Sequence, residues 1–378
     1  MTGSNNEFLP ANPTIPSLLY SELEGEVRDG VKNVLDRRSS WPATLERTET
    51  DTTVDVDLWH SLAIDVGLTG LAVPENVGGA GASWREVAVV LEELGRHCAA
   101  VPFLGHAVTA TALLAKVGDR DLLERVASGD VTVAVAVPAN SVAWDLPELN
   151  TTVENGKVSG SVRSVSDSVT AHILLVPVDG DLYAVDAAAA SITPVLSLDM
   201  TRQLVDIDFV SAPATLVASE ASAALDHALV VSSALLASEQ LGLAEEALHV
   251  TVEYLKERRQ FGRVLGSYQA LKHRLADLWV EITNARAVAR YAAACAAENS
   301  DDLEIASALA HSLCSRVAVK AAEECVQLHG GIGFTWEHPA HLLLKRAKSS
   351  ALMFGGIDQH RERLGSLIDI SAEFEAKR

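Results

Sequence analysis

Apolar residues recur every three to four positions in the first third of the chain, which is typical of amphipathic helices. The spacing predicts helices over about 17–38, from Leu58 onward, over 86–96 and over 107–127, the last closed by Gly129. Between Val131 and Pro213 the apolar period shortens to two. There we predict short strands over 131–137, 158–165, 172–178, 182–185 and 203–210.

The helical period returns at about residue 222 and persists to about residue 370. It predicts long helices over 222–257, 267–298, 302–328 and 338–353, joined by short loops as in a helical bundle. The predicted fold class is therefore mostly α with a central β domain. We divide the chain into an N-terminal helical domain (1–128), a middle β domain (129–218) and a C-terminal helical bundle (219–378).

Charge excludes one class of partner. The chain carries 51 acidic and 30 basic residues and a net charge of -21, so it lacks the basic footprint of a nucleic-acid-binding protein. An anionic ligand would need local cations or helix N-termini against this background. No run of about 18 uncharged apolar residues occurs, and we predict neither a transmembrane helix nor a membrane partner.

The cysteines and the N-terminus indicate a cytoplasmic protein. None of the four cysteines forms a CxxC pair, and buried structural thiols in a reducing compartment explain them best. The first residues are polar and contain prolines, without the basic and apolar regions of a secretory signal. No metal site is predicted.

Two C-terminal segments contain residue types suited to a dinucleotide. Arg258 and Phe261 are spaced one helical turn apart, so a helix would put a guanidinium fork for a pyrophosphate beside an aromatic ring. Gln327 precedes Gly330 and Gly331, where backbone can be approached closely. The simpler alternatives are a surface arginine with a core phenylalanine, and a glycine-capped helix end. Neither this glycine segment nor 78–81 has the G-x-G-x-x-G spacing of a Rossmann site.

These segments belong to a wider resemblance. The runs 242–262, 268–277 and 327–334, with Gly70-Leu71-Ala72-Val73-Pro74-Glu75 and Glu92-Glu93-Leu94-Gly95, resemble the acyl-CoA dehydrogenase family over most of the chain. The resemblance implies that family's fold: an N-terminal α domain, a middle β domain and a C-terminal four-helix bundle. It also implies FAD as cofactor, α,β-desaturation of an acyl-CoA substrate in β-oxidation, and an electron acceptor of the electron-transfer flavoprotein type.

The resemblance also implies cofactor-binding roles. In the family, the Arg-x-x-Phe pair and the Gln-x-x-Gly-Gly segment reach across a subunit interface to the ADP half of an FAD held mainly by the neighbouring subunit. The matching residues in this chain are Arg258, Phe261, Gln269, Gln327, Gly330 and Gly331.

The family's catalytic glutamate has no counterpart. Counted from Ala347-Lys348, its position falls on Phe354, or on Gly355 with one inserted residue. In other members the base lies early in the first bundle helix, just before an arginine. Those two positions fall on Ser232 and Ser233, so the arginine is missing as well, and a serine is not a base without assistance.

Two acids lie near these positions in sequence. Asp358 is expected to point elsewhere, and Glu239 is kept as an alternative base although a helix ion pair explains it more simply. The catalytic residues are therefore left unassigned.

The segments that face the flavin also depart from the family. The family's Thr-Glu-Pro-Gly-x-Gly-Ser-Asp stretch is replaced by 137–145, and its Trp-Ile-Ser/Thr-Asn segment by 165–168. The chain thus keeps motifs that serve a neighbour's FAD and lacks motifs that hold its own. This asymmetry favours the base-lacking partner of a catalytic paralogue in an α2β2 acyl-CoA dehydrogenase, a group whose known members act on steroid side-chain CoA thioesters. The alternatives are a self-sufficient homotetramer with Glu239 as base, and a non-catalytic acyl-CoA-binding protein.

Overall fold

The computed structural model describes residues 16–50 and 54–369. The expectation for the extreme N-terminus concerns residues 1–15 and lies outside this range. The first third is helical, as predicted, and it includes one helix that the periodicity did not predict, α2. Its helices are α1 (Glu22–Arg38), α2 (Trp41–Thr48), α3 (Val56–His60), α4 (Trp84–Arg96), α5 (Thr111–Val117) and α6 (Arg120–Ala127).

The predicted single helix over 107–127 is wrong. A π-helical turn over Leu104–Ala110 leads into α5, which ends at Gly118, and α6 begins after Asp119. Gly118 has a φ of 79°, a left-handed conformation that glycine adopts without steric cost. The Asp119 side chain then accepts a hydrogen bond from the Leu122 amide and caps the new helix. Apolar spacing alone continues across this break, because both helices bury the same side of the chain.

The middle part forms a seven-stranded sheet in the order β1-β4-β5-β7-β3-β2, with β6 paired to β7. Only the β1–β4 pair is parallel. Two of the strands, β2 and β6, were not predicted. The strands are β1 (Val133–Val135), β2 (Asn150–Glu154), β3 (Lys157–Ser166), β4 (Ile173–Val178), β5 (Asp181–Asp186), β6 (Ala190–Val195) and β7 (Leu204–Ala218).

Strand β7 is longer than the sequence suggested, because it runs through Pro213. Its first half pairs with β3 and β6, and its second half pairs with β5 from Ala214 onward. Pro213 lies at the change of neighbour, where a missing amide proton costs little. The strand therefore connects the two halves of the sheet around a separate apolar core that includes Val162, Ile207 and Phe209.

The last part is a helical bundle, and the predicted fold class is confirmed. It contains α7 (Ser222–Glu257), α8 (Gln269–Glu298), α9 (Leu303–His329), α10 (Ala340–Ser350) and α11 (Ile357–Leu367), with a hairpin of β8 (Arg259–Gln260) and β9 (Arg263–Val264) between α7 and α8. Among the described residues, α7 has the length and composition of a membrane span, but 89% of its most apolar window is buried inside the fold, as in the core helix of a bundle.

All four cysteines are buried and unpaired, as expected of structural thiols. Burial raises the pKa of the Cys325 thiol to about 11 and that of the Cys314 thiol to about 12. Both therefore stay protonated and unreactive near neutral pH.

Helices α4 and α7 cross at two glycines. A Cβ on Gly95 would lie 2.1 Å from the carbonyl oxygen of Glu239, and a Cβ on Gly242 would lie 1.8 Å from that of Glu92. Each glycine therefore lets the backbone of the other helix come into direct contact. This close approach attaches the N-terminal helices to the bundle.

We expect Gly242→Ala to lower the free energy of unfolding by about 1–3 kcal/mol or more, because the two helices must separate to admit a methyl group. The matched control is Gly30→Ala in α1, where a Cβ meets nothing within 4 Å. That change should raise stability by about 0.5–1 kcal/mol through helix propensity alone. Denaturant unfolding of both variants measures the difference, and a Gly242→Ala protein as stable as the wild type would contradict the close helix crossing.

Candidate functional site

The segment that carries Arg258 and Phe261 is a β-hairpin and not a helix. Helix α7 ends at Glu257, and Arg258 is already extended. Gln260 pairs with Arg263 across a two-residue turn in which Phe261 and Gly262 have φ angles of 52° and 81°. Positive φ at both central residues is typical of a type I′ turn. The expectation that Arg258 and Phe261 share a helix face is therefore wrong, because the turn chemistry of Phe261-Gly262 ends the helix first.

Phe261 is unusual at the tip of this hairpin. Its left-handed backbone costs roughly 1–2 kcal/mol for a residue other than glycine, and its side chain is 89% exposed. Neither feature stabilises an isolated chain. Strain and an exposed aromatic ring at one residue are features of a site that contacts a ligand or another subunit.

The Gln327 segment lies at the same end of the bundle. Helix α9 ends at His329, whose ring stacks on Tyr254 of α7 with centroids 4.4 Å apart. Tyr254 is one turn before Arg258, whose amide donates to its carbonyl oxygen at 2.9 Å. Gly330 has a φ of 65°, and a Cβ on Gly330 or on Gly331 would meet nothing within 4 Å. The backbone after α9 is thus open to a ligand beside the hairpin.

Gln269 completes this grouping as the first residue of α8. The preceding residue, Tyr268, donates a hydrogen bond from its hydroxyl to the Gln260 carbonyl at 3.4 Å and lies under the Arg263 guanidinium. The exposed surface formed at this end of the bundle will be called the donor face. It consists of Arg258, Phe261, Gln269, Gln327, Gly330 and Gly331, all exposed to solvent.

Part of the donor face lies in a basic segment of an acidic protein. Residues 256–274 contain six lysines and arginines and a single acid, Glu257, whereas the whole chain has a net charge of -21. Within residues 16–50 and 54–369, the side chains of Arg258 and Arg259 have neither an ion-pair nor a hydrogen-bond partner. Free guanidinium groups beside open backbone fit the phosphates of a dinucleotide.

The position expected for the catalytic base holds no ionisable group. Phe354 is buried, and Gly355 has a φ of 101°. A Cβ on Gly355 would lie 2.4 Å from Cγ1 of Val142, so a glutamate does not fit there. The carbonyl oxygens of these two residues accept hydrogen bonds from the Nε2 atoms of His360 (2.8 Å) and His311 (3.0 Å).

The two histidines stack on each other with ring centroids 4.0 Å apart and are both fully buried. Burial lowers the pKa of His360 to about 4 and lowers that of His311 well below its usual value. Both rings are therefore neutral at pH 7 and hold the backbone of 354–355 in place.

The second base position is equally unreactive. Ser232 donates to the Ala228 carbonyl at 2.7 Å and shares a 2.8 Å hydrogen bond with Thr109. Ser233 is buried, and in the described part of the chain its hydroxyl has no hydrogen-bond partner. Asp358 points to solvent as expected, since its side chain is 90% exposed and its nearest cation is Arg361 at 3.4 Å.

Glu239 belongs to a buried ion-pair network. Arg202 donates to both carboxylate oxygens of Glu239, at 2.7 and 2.6 Å, and Arg346 donates to Oε1 at 3.1 Å. The Ser350 hydroxyl donates to the same oxygen at 3.1 Å. Burial alone raises the pKa of Glu239, but the two guanidinium groups outweigh it and hold that pKa below its ordinary value. A carboxylate with a lowered pKa and with both oxygens occupied is poorly suited to take an α-proton.

Sequence reasoning missed both arginines of this network. Arg346 carried a usable signal, because it lies on the same face of α10 as the buried residues Leu343, Ala347 and Ser350. An arginine on an apolar helix face indicates a buried charge that needs a partner. Arg202 follows β6 in a loop, and its sequence context gives no comparable signal.

FAD, the cofactor that the resemblance implies, fits one side of this chain and not the other. The donor face offers the unpaired Arg258 guanidinium, an exposed ring and open backbone. The base position offers no carboxylate, and Val142 of the segment expected to face the flavin lies directly against Gly355. We therefore assign the donor face as the candidate cofactor-binding surface.

Comparison with known proteins agrees with this architecture. Residues 21–130 match the model of the acyl-CoA dehydrogenase N-terminal domain, and residues 223–367 match that of the C-terminal domain. The chain is 35% identical to the acyl-CoA dehydrogenase IpdE2 of Mycolicibacterium smegmatis over 346 residues, which cover 91% of this chain and 98% of the relative.

Two solved assemblies share the fold. A variant of the Tcur3481-Tcur3483 steroid acyl-CoA dehydrogenase is 31% identical with a TM-score of 0.82, and covers 93% of this chain and 99% of its own. The ChsE4-ChsE5 complex from Mycobacterium tuberculosis is 26% identical with a TM-score of 0.83, and covers 94% of this chain and 100% of its own. The predicted acyl-CoA dehydrogenase fold is thus confirmed, and the chain belongs to the acyl-CoA dehydrogenase family, whose members are FAD-dependent oxidoreductases.

Proposed function

We propose that this chain is the base-lacking subunit of an α2β2 acyl-CoA dehydrogenase and that it completes the FAD site of a catalytic paralogue. The observation that carries the proposal is the contrast between its two halves. The base position holds Phe354 and Gly355 in a packed turn, while the donor face is exposed and carries Arg258 within a basic segment. A subunit of this kind contributes binding contacts to a reaction whose base lies in its partner.

The residues of the donor face are suited to binding a cofactor held by another subunit. Arg258 provides a charge-assisted contact to a pyrophosphate, and Phe261 provides a ring for packing against a flat group. Gln327 adds an amide, and the backbone at Gly330 and Gly331 stays accessible. All of these groups point out of the chain, so the cofactor that they serve is one held mainly by another subunit.

The relatives support a heteromeric assembly and a large substrate. One similar structure is described as a steroid acyl-CoA dehydrogenase built from two differently named chains, and another is a complex of ChsE4 with ChsE5. On this basis we propose a steroid side-chain CoA thioester as substrate. Family resemblance supports an electron-transfer flavoprotein-type acceptor, and the four buried, unpaired cysteines support a cytoplasmic location.

The other two functions considered are less well supported. A homotetramer with Glu239 as base requires a carboxylate that is already bound by Arg202 and Arg346 to leave both partners. A flavin-free acyl-CoA-binding protein gives no role to the strained, exposed Phe261 or to the unpaired Arg258.

Expressed alone, the chain should purify with little FAD and should desaturate no acyl-CoA, because it lacks both a base and a flavin site of its own. Flavin absorbance per chain and a desaturation assay with several acyl-CoA thioesters measure this directly. Stoichiometric flavin with turnover in the single protein would overturn the proposal and favour the self-sufficient enzyme.

In the complex with the catalytic paralogue, Arg258→Ala should weaken FAD binding about ten- to a hundred-fold. Loss of a charge-assisted hydrogen bond costs roughly 1.5–3 kcal/mol. The control is Arg316→Ala, which removes an exposed arginine of α9 that pairs with Glu281 at 2.9 Å. Titration of FAD into the apo complexes gives both affinities. Equal affinities in the two variants would show that the donor face does not hold the cofactor.

Glu239→Gln should lower the free energy of unfolding by about 3–5 kcal/mol, because it leaves Arg202 buried without its counter-charge and leaves Arg346 with Asp199 alone, at 3.5 Å. Glu253→Gln is the control, since its exposed pair with Lys256 contributes at most about 1 kcal/mol. Unfolding in denaturant and turnover of the assembled complex are measured together. A Glu239→Gln protein with unchanged stability and abolished turnover would instead identify Glu239 as the base.

A further inference from the structure

Two segments that correspond to opposite sides of the family's active site are in direct contact in this chain. One is 137–145, which replaces the family's flavin-facing stretch, and the other is 353–357, which replaces the stretch with the catalytic glutamate. The Phe354 amide donates to the Ala139 carbonyl at 2.9 Å. Beside this bond, Val142 lies so close to Gly355 that not even a methyl group fits between them. Backbone hydrogen bonding therefore connects the two segments directly.

Side chains close the contact from the outside. Trp144 meets the edge of the His360 ring with centroids 5.1 Å apart, and the Arg363 guanidinium lies 5.6 Å from the Trp144 ring. His360 in turn stacks on His311, and both histidines hold the turn at Phe354 and Gly355. Below the turn, Met353 contacts the Arg202 guanidinium of the Glu239 network. We call this arrangement the plug: Ala139, Val142, Trp144, His311, Met353, Phe354, Gly355 and His360.

The plug leaves no room for the two layers of an active site. A flavin ring and an acyl thioester, stacked between the segments, would each need about 3.5 Å to the next layer. The facing protein atoms would therefore be separated by about 10 Å. Instead they are at hydrogen-bond distance.

The surface outside the plug also disfavours CoA. The cavity next to Trp144 is lined by Asp226, Asp301 and Glu304, with Arg363 already paired to Glu304 at 2.6 Å. Burial raises the pKa of Asp226, and the nearby Glu304 carboxylate raises it further, as expected for acids crowded together. The phosphates of CoA would approach like charges here without a free cation among the lining residues.

We propose that the plug closes this chain's own active-site region to both flavin and acyl-CoA. The assembly then binds its substrate only in the active site that the partner subunit mainly forms. This inference rests on the proposed function, because that function supplies the correspondence between these two segments and the family's active site. The closure itself is a property of this chain alone. It makes Trp144 a residue that excludes ligands, and a test on the single full-length chain is independent of whether a partner assembles.

The test follows the Phe354 amide by hydrogen exchange in the full chain, alone and with saturating FAD, octanoyl-CoA or both. We expect strong protection that none of these probes changes, and no binding of either probe near the plug. Trp144→Ala should speed exchange of this amide by up to about tenfold, because an aromatic contact that holds the turn is lost. Trp279→Ala, which removes an exposed tryptophan of α8, should leave it unchanged.

Two results would overturn the plug. One is a Phe354 amide that exchanges as fast in the native wild type as in the unfolded chain. The other is loss of its protection when FAD or octanoyl-CoA is added, which would mean that the half opens to ligand. The two proposals fail separately. If the Phe354 amide is protected and unresponsive, but Arg258→Ala leaves the FAD affinity of the complex unchanged, only the donor role is refuted.

Discussion

The buried carboxylate of Glu239 connects the three parts of the chain. Arg202 reaches it from the loop between β6 and β7, and Arg346 reaches it from α10 while donating at 3.3 Å to the Ala99 carbonyl of the N-terminal part. Each arginine is nearly fully buried, so the network is stable only when it is complete. The helix crossing at Gly95 and Gly242 lies on the same stretch of α7 as Glu239, so the backbones of α4 and α7 are in contact beside the network. The position of α10, and with it the turn at Phe354, follows from these contacts.

The Glu239 network also separates an inner side of the protein, at the turn of Phe354, from an outer side, at the donor face. On the inner side, Met353 and Ser350 contact the network, and the chain after them folds back against the β domain as a sealed turn. On the outer side, Gly330 and Gly331 after α9 and the hairpin after α7 remain exposed, and the hairpin is basic. The packed turn on the inner side holds Phe354 in a left-handed conformation (φ 52°) through its hydrogen bonds, whereas the left-handed Phe261 and the unpaired Arg258 lie exposed on the outer side.

Apolar periodicity was sufficient to predict the three-part order, the bundle helices and the strands of the sheet core. It was insufficient where turn chemistry decides the structure. Gly118 splits a helix whose apolar spacing is continuous, and Phe261-Gly262 converts a helical spacing into a hairpin. The edge-like strands β2 and β6 expose much of their length. Val153 is the single apolar residue of β2, and β6 contains Pro194, so neither segment has the apolar, proline-free run that reveals a strand. The candidate site was predictable as a set of residues, and the structure adds that they lie together at one end of the bundle. The plug was not predictable, because histidine stacking and the Trp144 contact depend on residues far apart in sequence.

The most direct test of the account is the amount of FAD in the complex of this chain with its catalytic paralogue. The donor face can complete the FAD site of a partner, whereas the plugged region of this chain cannot hold an FAD of its own. We therefore expect an α2β2 assembly with one FAD per pair of chains. Native mass determination together with flavin release from the same sample gives both the assembly and the count. Two FAD per pair would contradict the account, since the second could lie only in the half that the plug closes.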